Sequence, residues 1–242
     1  MNQTALSKLY PYRTELHAHT EPASLCGRLL PEALVELYLS LGAHGIVITN
    51  HLNAYSQGER TAEQYAEDYL ADYYRAKSAA EGTSLSVSLG VEIRFDGKDP
   101  NDKNDYLIYG VESDEIVPMI EALDLGIEEF YKKFKRQDNL ILQAHPFRDK
   151  ITLAPLSAID GIEVFNLHPG QNSRIAWAAK YAKENQLLMS GGSDVHRENR
   201  AASCFLRTSE PIQSSHDVVR ALCSRDILFE TWGNLIVPYY ED

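Results

Sequence analysis

Short apolar runs alternate with longer amphipathic ones along the chain, and each run predicts an element. TELHAHT, ending at Thr20, reads as a strand with a period of two. PEALVELYLSLG (31–42) reads as a helix, with Pro31 in its first turn and Gly42 past its end. GIVITNH (45–51) reads as a strand. TAEQYAEDYLADYYRAKSAAEG (61–82) reads as a helix that opens on a capping box, Thr61 to Gln64, and stops at Gly82. Tyr65, Tyr69 and Tyr73 recur along it at helical spacing and predict a core stripe. SLSVSLGVEIRF (84–95) and DYLIYGV (105–111) are strands, and a helical stretch runs on to about residue 137. NLILQAH (139–145) and DGIEVFN (160–166) are strands, QNSRIAWAAKYAKENQ (171–186) a helix, and LLMSGGSD (187–194) the next strand. SSHDVVRALCSRD (214–226) predicts a helix within a C-terminal tail that starts at about 205.

Strands alternating mostly with helices predict an α/β fold with parallel βαβ pairing, and the near-continuous apolar runs suit strands covered on both faces. An open doubly wound sheet and a barrel both fit. The barrel is preferred because polar residues collect at the end of every strand rather than at one crevice. The 242 residues are read as one domain, 1–242.

The composition, 44% hydrophobic and 24% charged, is that of an ordinary globular protein. No apolar run approaches a membrane span, and MNQTALSKLYPYR contains no apolar signal-like core. Cys26, Cys204 and Cys223 are odd in number and widely spaced. They predict three reduced thiols in a cytoplasmic protein, not a disulfide framework. A net charge of −12 argues against a nucleic-acid partner, and KKFKR (132–136) reads as a solvated helix face. Nothing in the chain predicts its oligomeric state.

The strand ends carry the chemistry. The first ends on His17 and His19, which as i and i+2 point to the same side. The second ends on Asn50 and His51, the third on Glu92, the fifth on His145, the sixth on Glu163 to Asn166, the seventh on Asp194 and His196. The fourth instead begins at Asn104 and Asp105. Five of the eight histidines sit at such ends, a sorting that scattered surface histidines would not produce. Imidazoles converging with carboxylates suit Zn, Mn or Fe, and so many predict more than one ion. His44 and His216 read as ordinary loop and helix-start residues.

Five motifs in this order, ELHAHT, VITNH, GVE, QAHPF and GGSDVH, make the chain resemble the PHP (polymerase and histidinol phosphatase) superfamily from about residue 12 to 200. The resemblance implies a distorted seven-stranded (β/α) barrel of TIM-like type, two to three divalent ions and, commonly, phosphoesterase activity. It implies that His17, His19, Glu92 and Asp194 hold one ion, and that Glu92 bridges to a second ion bound also by His145. His51 and His196 would hold a third, with a ligand from the loop after His19. Glu21 is assigned to that role, with Ser24 and Cys26 as competitors. Two positions depart from the family pattern. Asn50 stands where an aspartate usually precedes the histidine, and Asp105 stands where a histidine is common, which favours harder ions.

These residues predict a metal-dependent hydrolase acting on a small phosphomonoester through a metal-bound hydroxide, with Glu92 and Asp194 as catalytic carboxylates. Arg148 and Arg197 follow candidate ligands closely and are expected to fork onto phosphate, with His168 also contacting substrate and Arg28 a weaker candidate. Glu163 is expected to hydrogen-bond structurally and Asn166 to support the ligands. Three other functions remain open. An amidohydrolase-like enzyme for C–N or C–O bonds would share the His-x-His opening, although DYLIYGV offers no bridging lysine. A metal-binding module without turnover is the second, and DNA proofreading the third.

Overall fold

In the computed structural model, which describes residues 2–239, a short helix α1 (Gln3–Leu9) leads into strand β1 (Tyr12–Ala18). Met1 and residues 240–242, part of the expected 1–242 domain, lie outside the described residues. Helix α2 (Pro31–Ser40) starts on its proline, whose missing N–H is one that a first turn leaves unbonded anyway. Strands β2 (Gly45–Ile48) and β3 (His51–Leu52) both come from the run expected as a single strand. One turn of helix, α3 (Ala54–Gln57), precedes α4 (Ala62–Ala79). The α4 capping box is complete: Gln64 N–H donates to Thr61 Oγ1 (3.3 Å) and Thr61 N–H to Gln64 Oε1 (3.0 Å). Tyr65, Tyr69 and Tyr73 are buried as a stripe, and the Tyr69 hydroxyl sits between the carbonyls of Asn50 (2.9 Å) and Gly90 (3.1 Å).

Gly90 divides another expected strand into β4 (Ser86–Leu89) and β5 (Val91–Arg94). A Cβ at Gly90 would lie 2.8 Å from Val47 Cγ1 and 2.9 Å from Thr49 Cγ2, so only glycine lets the two bent strands approach so closely. Strand β6 (Asp105–Tyr109) is followed by helices α5 (Ile116–Ile120) and α6 (Ile127–Phe134), then β7 (Leu140–Gln143) and β8 (Gly161–Asn166). Helix α7 (Ile175–Glu184), β9 (Leu188–Gly192), β10 (Cys204–Thr208), α8 (Ser215–Ser224), β11 (Leu228–Thr231) and β12 (Asn234–Ile236) complete the chain.

Among the described residues the strands form two six-stranded sheets, ordered β12-β11-β10-β1-β2-β4 and β3-β5-β6-β7-β8-β9. The expected closed barrel of parallel strands is not what forms. The chain steps from the first sheet to the second at Thr49–Asn50 and again at Gly90, while β1 meets the segment after β9 through a single bridge, Ala18 to Val195. Strand β6 runs antiparallel to both β5 and β7, and β10, β11 and β12 form an antiparallel meander against β1. The turn-rich DGKDPNDKN joins β5 to β6 without a crossover helix, which is why that pair is antiparallel. One apolar core, with Tyr38, Phe95, Tyr109, Phe130 and Phe205 fully buried, underlies both sheets. No helix among the described residues is long and apolar enough to cross a membrane.

Candidate metal centre

His17 in β1 and His19 just past its end are completely buried, and both face Glu92 of β5. Glu92 Oε2 lies 3.3 Å from His17 Nε2, 3.3 Å from His19 Nε2 and 3.0 Å from His51 Nδ1, and Oε1 lies 3.2 Å from His145 Nε2. His51 reaches it because β3 and β5 are paired in register at these two residues. Asp194 approaches from the end of β9, its Oδ1 at 3.3 Å from His19 Nε2, 3.6 Å from His17 Nε2 and 3.3 Å from His196 Nδ1. His145 and Asp194 both adopt left-handed backbone (φ 31° and 51°), a conformation that costs a non-glycine residue about 1 kcal/mol or more and that gathers at functional sites. Gly192 lets β9 lie against β1: a Cβ there would collide with His17 Cβ and sit 3.0 Å from Glu15 Oε1.

A second layer fixes which nitrogen each imidazole presents. Glu163 Oε1 lies 2.8 Å from His17 Nδ1, Ser24 Oγ lies 3.2 Å from His19 Nδ1, and the Asp194 carbonyl accepts from His196 Nδ1 at 2.9 Å. Glu163 therefore has the hydrogen-bonding role expected of it, and its Oε2 accepts from His145 N–H (3.0 Å) and Asn166 Nδ2 (2.9 Å). The amide at Asn50 also has a clear reason. Its Oδ1 accepts from Thr20 N–H (2.7 Å) and Ser24 Oγ (2.9 Å), and its Nδ2 donates to Thr20 Oγ1 (2.8 Å). Thr20 Oγ1 in turn donates to the buried Asp72 (2.9 Å), so an aspartate at residue 50 would lack the donor this chain of bonds needs.

The residues fit divalent ions. His17 Nε2, His19 Nε2, His51 Nδ1 and Glu92 Oε2 are buried without a hydrogen-bond partner among the described residues, where such groups are normally bonded. A tetrahedral ion with ligands at roughly 2.0–2.1 Å separates neighbouring ligand atoms by about 3.4 Å. The His17 and His19 Nε2 atoms each lie 3.3–3.6 Å from the facing Glu92 and Asp194 oxygens. Three sets, His17–His19–Glu92, His19–His51–His196 and His51–Glu92–Asp105, each bring their ligand atoms within 4.8 Å.

Charge is balanced to match. Burial opposes ionisation of Glu92, but the His51 and His17 imidazoles override it and hold its carboxyl well below the usual range. Asp194 is likewise held well below, against burial, by His17, His19 and Arg148. Burial disfavours charge on His17 and His51, yet Glu163, Glu92 and Asp194 around His17, and Glu92 beside His51, raise both well above an ordinary histidine. His19 is pushed well below by burial and by the neighbouring His196 and His51. It therefore stays neutral with a free lone pair.

Several expected site residues stand elsewhere. Glu21 hydrogen-bonds through its backbone to Leu29 (2.9 Å), and its carboxyl belongs to none of the three sets. Cys26, further along the same loop, lines the cavity with His51 and His196; burial raises its thiol pKa, and the two imidazoles override this and bring it to about 6. Arg197 is exposed on a groove shared with Arg28 and Glu198, outside the cavity in front of the histidines, because the chain turns away after His196. Asp105 is present but clamped: Arg94 donates to both its oxygens (2.7 and 2.5 Å), and its Oδ2 is 3.8 Å from His145 Nε2. Arg94 went unanticipated, although Glu92 and Arg94 obey the same i, i+2 rule as His17 and His19. Arg148 lies where expected, donating to Asp194 Oδ2 (2.6 Å) and Asn166 Oδ1 (2.5 Å). His168 lines the cavity with Gly170 N–H bonded to Nδ1 (3.1 Å), and burial holds its pKa down at about 4. The cavity, about 460 Å³, is also lined by Lys103, Lys150 and Gln171.

Fold and site together define a class, an α/β protein that gathers imidazoles and carboxylates into one buried, ion-ready centre. The chain belongs to the PHP domain family, which it matches over residues 15–217. No curated protein matches it by sequence. It is similar in structure to a Bifidobacterium adolescentis protein provisionally assigned as a metal-dependent phosphoesterase (TM-score 0.51, 18% identity, covering 87% of this chain and 95% of that one). It also resembles a two-domain Bacteroides vulgatus protein containing a predicted PHP-like metal-dependent phosphoesterase (TM-score 0.62, 16% identity, 93% of this chain and 66% of that one). PsfC from Pseudomonas syringae is a third neighbour (TM-score 0.57, 12% identity, 81% of each chain).

Proposed function

We propose that the chain is a metal-dependent phosphoesterase that hydrolyses a small phosphomonoester, using two to three divalent ions drawn from Zn, Mn and Fe. The observation that carries this reading is the juxtaposition of the Glu92-centred cluster with a cavity lined by four cationic side chains, Arg94, Lys103, Arg148 and Lys150. Ions held there would supply water activation near neutral pH and neutralise charge on the phosphoryl group, the demand that makes uncatalysed monoester hydrolysis so slow. His17, His19, Glu92 and Asp194 would hold one ion, with Glu92 shared toward His145 and His51.

Arg148 binds the substrate phosphate in this reading. Its Nη2 is committed to Asn166 and Asp194, and its Nη1 has no partner among the described residues. It would place a donor on a non-transferring oxygen while steering Asp194. His168, with Nδ1 facing Gly170 N–H and Nε2 facing Arg200 Nη1 (2.8 Å), would contact the leaving alcohol through its ring as part of the cavity wall. A cavity this small and a net charge of −12 favour a small substrate over a nucleic-acid strand. The test is a paired panel on protein loaded with Zn, Mn or Fe, phosphate esters on one side and lactones and amides on the other. Turnover confined to phosphomonoesters is the expected result. Turnover of lactones or amides alone, or of neither panel with full metal loading, would overturn it.

A further inference from the structure

Two donors close on one imidazole that cannot accept from both. Gly170 N–H points at His168 Nδ1 (3.1 Å), and Arg200 Nη1 lies 2.8 Å from His168 Nε2. A guanidinium only donates, as does a peptide N–H. The ring would have to accept at both nitrogens, yet a neutral imidazole carries one proton and a charged one carries two. In either form the ring sets at least one N–H against another. It has little water to turn to, because His168 is only 8% exposed.

His168 is held in the conflict and Arg200 is not. The His168 N–H donates to Asn166 Oδ1 (3.3 Å), the oxygen that also accepts from Arg148 Nη2 (2.5 Å) and Ser173 Oγ (3.2 Å). The His168 carbonyl accepts from Gln171 N–H (3.1 Å). Arg200 stands four residues past His196, half-buried, at the end of a short turn of helix (Glu198–Arg200). Its guanidinium has no other hydrogen bond and no carboxylate partner among the described residues, whereas Arg94 and Arg148 are clamped by Asp105 and Asp194. A half-buried cation without an anion is an incomplete site. The pair also lies against the metal centre: the His168 ring meets that of His196 edge to face, with centroids 5.8 Å apart, and lines the same cavity.

We propose that His168 and Arg200 form an oxyanion subsite for the substrate, filled when Arg200 draws back from Nε2 and one anionic oxygen enters between them. Nδ1 then accepts from Gly170 N–H, Nε2–H and the guanidinium both donate to the oxygen, and every donor has an acceptor. In the empty protein the charge-assisted bond from Arg200 claims Nε2 and leaves the ring proton on Nδ1. Entry of the anion reverses this: the Nδ1 proton leaves to solvent as another binds Nε2, with no net proton change. Two substrate groups supply such an oxygen, the transferring phosphoryl group and a second anionic group on the alcohol half. The inference rests on the phosphomonoester reading above, and its test is read without turnover as well as with it.

Inorganic phosphate is the probe, titrated by calorimetry into zinc-loaded protein. With the phosphoryl group as occupant, Arg200→Ala should weaken phosphate binding by about tenfold or more, and Arg200→Lys should recover only part. Arg197→Ala, exposed and outside the cavity, should leave it unchanged. With a second anionic group as occupant, phosphate affinity stays level, and Arg200→Ala instead loses about tenfold in kcat/KM only on phosphomonoesters that carry a carboxylate on the alcohol half. Nitrogen-15 spectra of ring-labelled histidine read the switch itself. His168, assigned by its loss in His168→Phe, should carry its proton on Nδ1 in the ligand-free wild type and on Nε2 in ligand-free Arg200→Ala. Equal phosphate affinity in wild type and Arg200→Ala, with no Arg200-dependent difference between the two kinds of ester, would overturn the subsite, as would a His168 proton already on Nε2 in the ligand-free wild type. Arg200-dependent phosphate binding in protein that hydrolyses no ester would keep the subsite and sink the phosphoesterase reading alone, and hydrolysis indifferent to Arg200 would do the reverse.

Discussion

Glu163→Gln changes one oxygen for one NH2 in a pocket that contains only donors. Glu163 Oε1 faces His17 Nδ1 (2.8 Å), and Oε2 accepts from His145 N–H (3.0 Å) and Asn166 Nδ2 (2.9 Å). Glutamine has two ways to sit there, and both cost. With its NH2 toward His17, that imidazole must accept at Nδ1 and carry its proton on Nε2, the nitrogen that faces Glu92 and Asp194. With its NH2 toward His145 and Asn166, buried donors oppose one another, a loss of about 1–3 kcal/mol. At 1.36 kcal/mol per factor of ten this is roughly 5- to 150-fold, in line with the 10–100-fold measured when partners of ligating histidines are removed. Zinc affinity, read by competition with a chromophoric chelator, should fall by about 10–100-fold. Thermal unfolding of the stripped protein then separates the two orientations, since only the second destabilises the ion-free state. Loss of the carboxylate should also bring the His17 pKa down, because Glu163 is the largest of the charges that raise it against burial. An unchanged zinc affinity together with an unchanged His17 titration would refute the idea that Glu163 sets the ligating nitrogen.

Glu92→Gln should lower kcat by about 10³-fold or more, the several kcal/mol expected of an ion-clustering charge, and should cost more than loss of any single histidine other than His17 or His19. Near-normal kcat with full metal content in that variant would show that Glu92 is not shared between ions. Arg148→Ala should keep its metal content, since Arg148 meets Asp194 at Oδ2 while Oδ1 is the oxygen that faces His17 and His19, and lose about 10²-fold in kcat/KM, about 2.7 kcal/mol. Wild-type efficiency on the best phosphomonoester would remove it from the substrate site. Metal uptake should release protons and strengthen with rising pH, because His17, His51 and His196 are held above the ordinary histidine value and must shed protons to bind. Calorimetry in buffers of different ionisation enthalpy reads this, and a heat independent of buffer would contradict it. Gly192→Ala should cost about 1–3 kcal/mol in thermal unfolding through overpacking against His17, and should weaken metal uptake in the same variant.

Element types were readable in the chain because periodicity is local, but the way strands pair is not. The expected strands at 45–51 and 84–95 exist, each cut in two where it passes between sheets, and Gly90 was the visible sign of the second cut. The parallel barrel failed at β6. Its candidate ligand, Asp105, stands at the start of the strand, and a start meets the other strands' ends only if the strand runs backwards. β10 and β11 went unseen for another reason. Arg207 is buried in β10 and Glu230 in β11, which spoils the apolar run of each, and they neutralise one another (2.7 Å) only after the strands have aligned.

The same distinction between local and distant information divides the site. His17 with His19 could be paired from spacing alone, and Glu92, His145 and Asp194 from their place at strand ends. The course of the loop after His19 could not, because Glu21 and Cys26 are placed by backbone bonds from Glu21 to Leu29 and from Arg28 to His196, partners distant in sequence. Arg197 shows the opposite failure. It follows His196 directly, yet in an extended segment successive side chains point to opposite sides, so adjacency to one candidate ligand argues against a second residue sharing its face. Arg148, three residues past His145, escapes that rule because the chain turns at the left-handed His145 and carries the guanidinium back over Asp194. Backbone conformation at the ligand, rather than distance along the chain from it, therefore decides which neighbouring arginine can serve the centre.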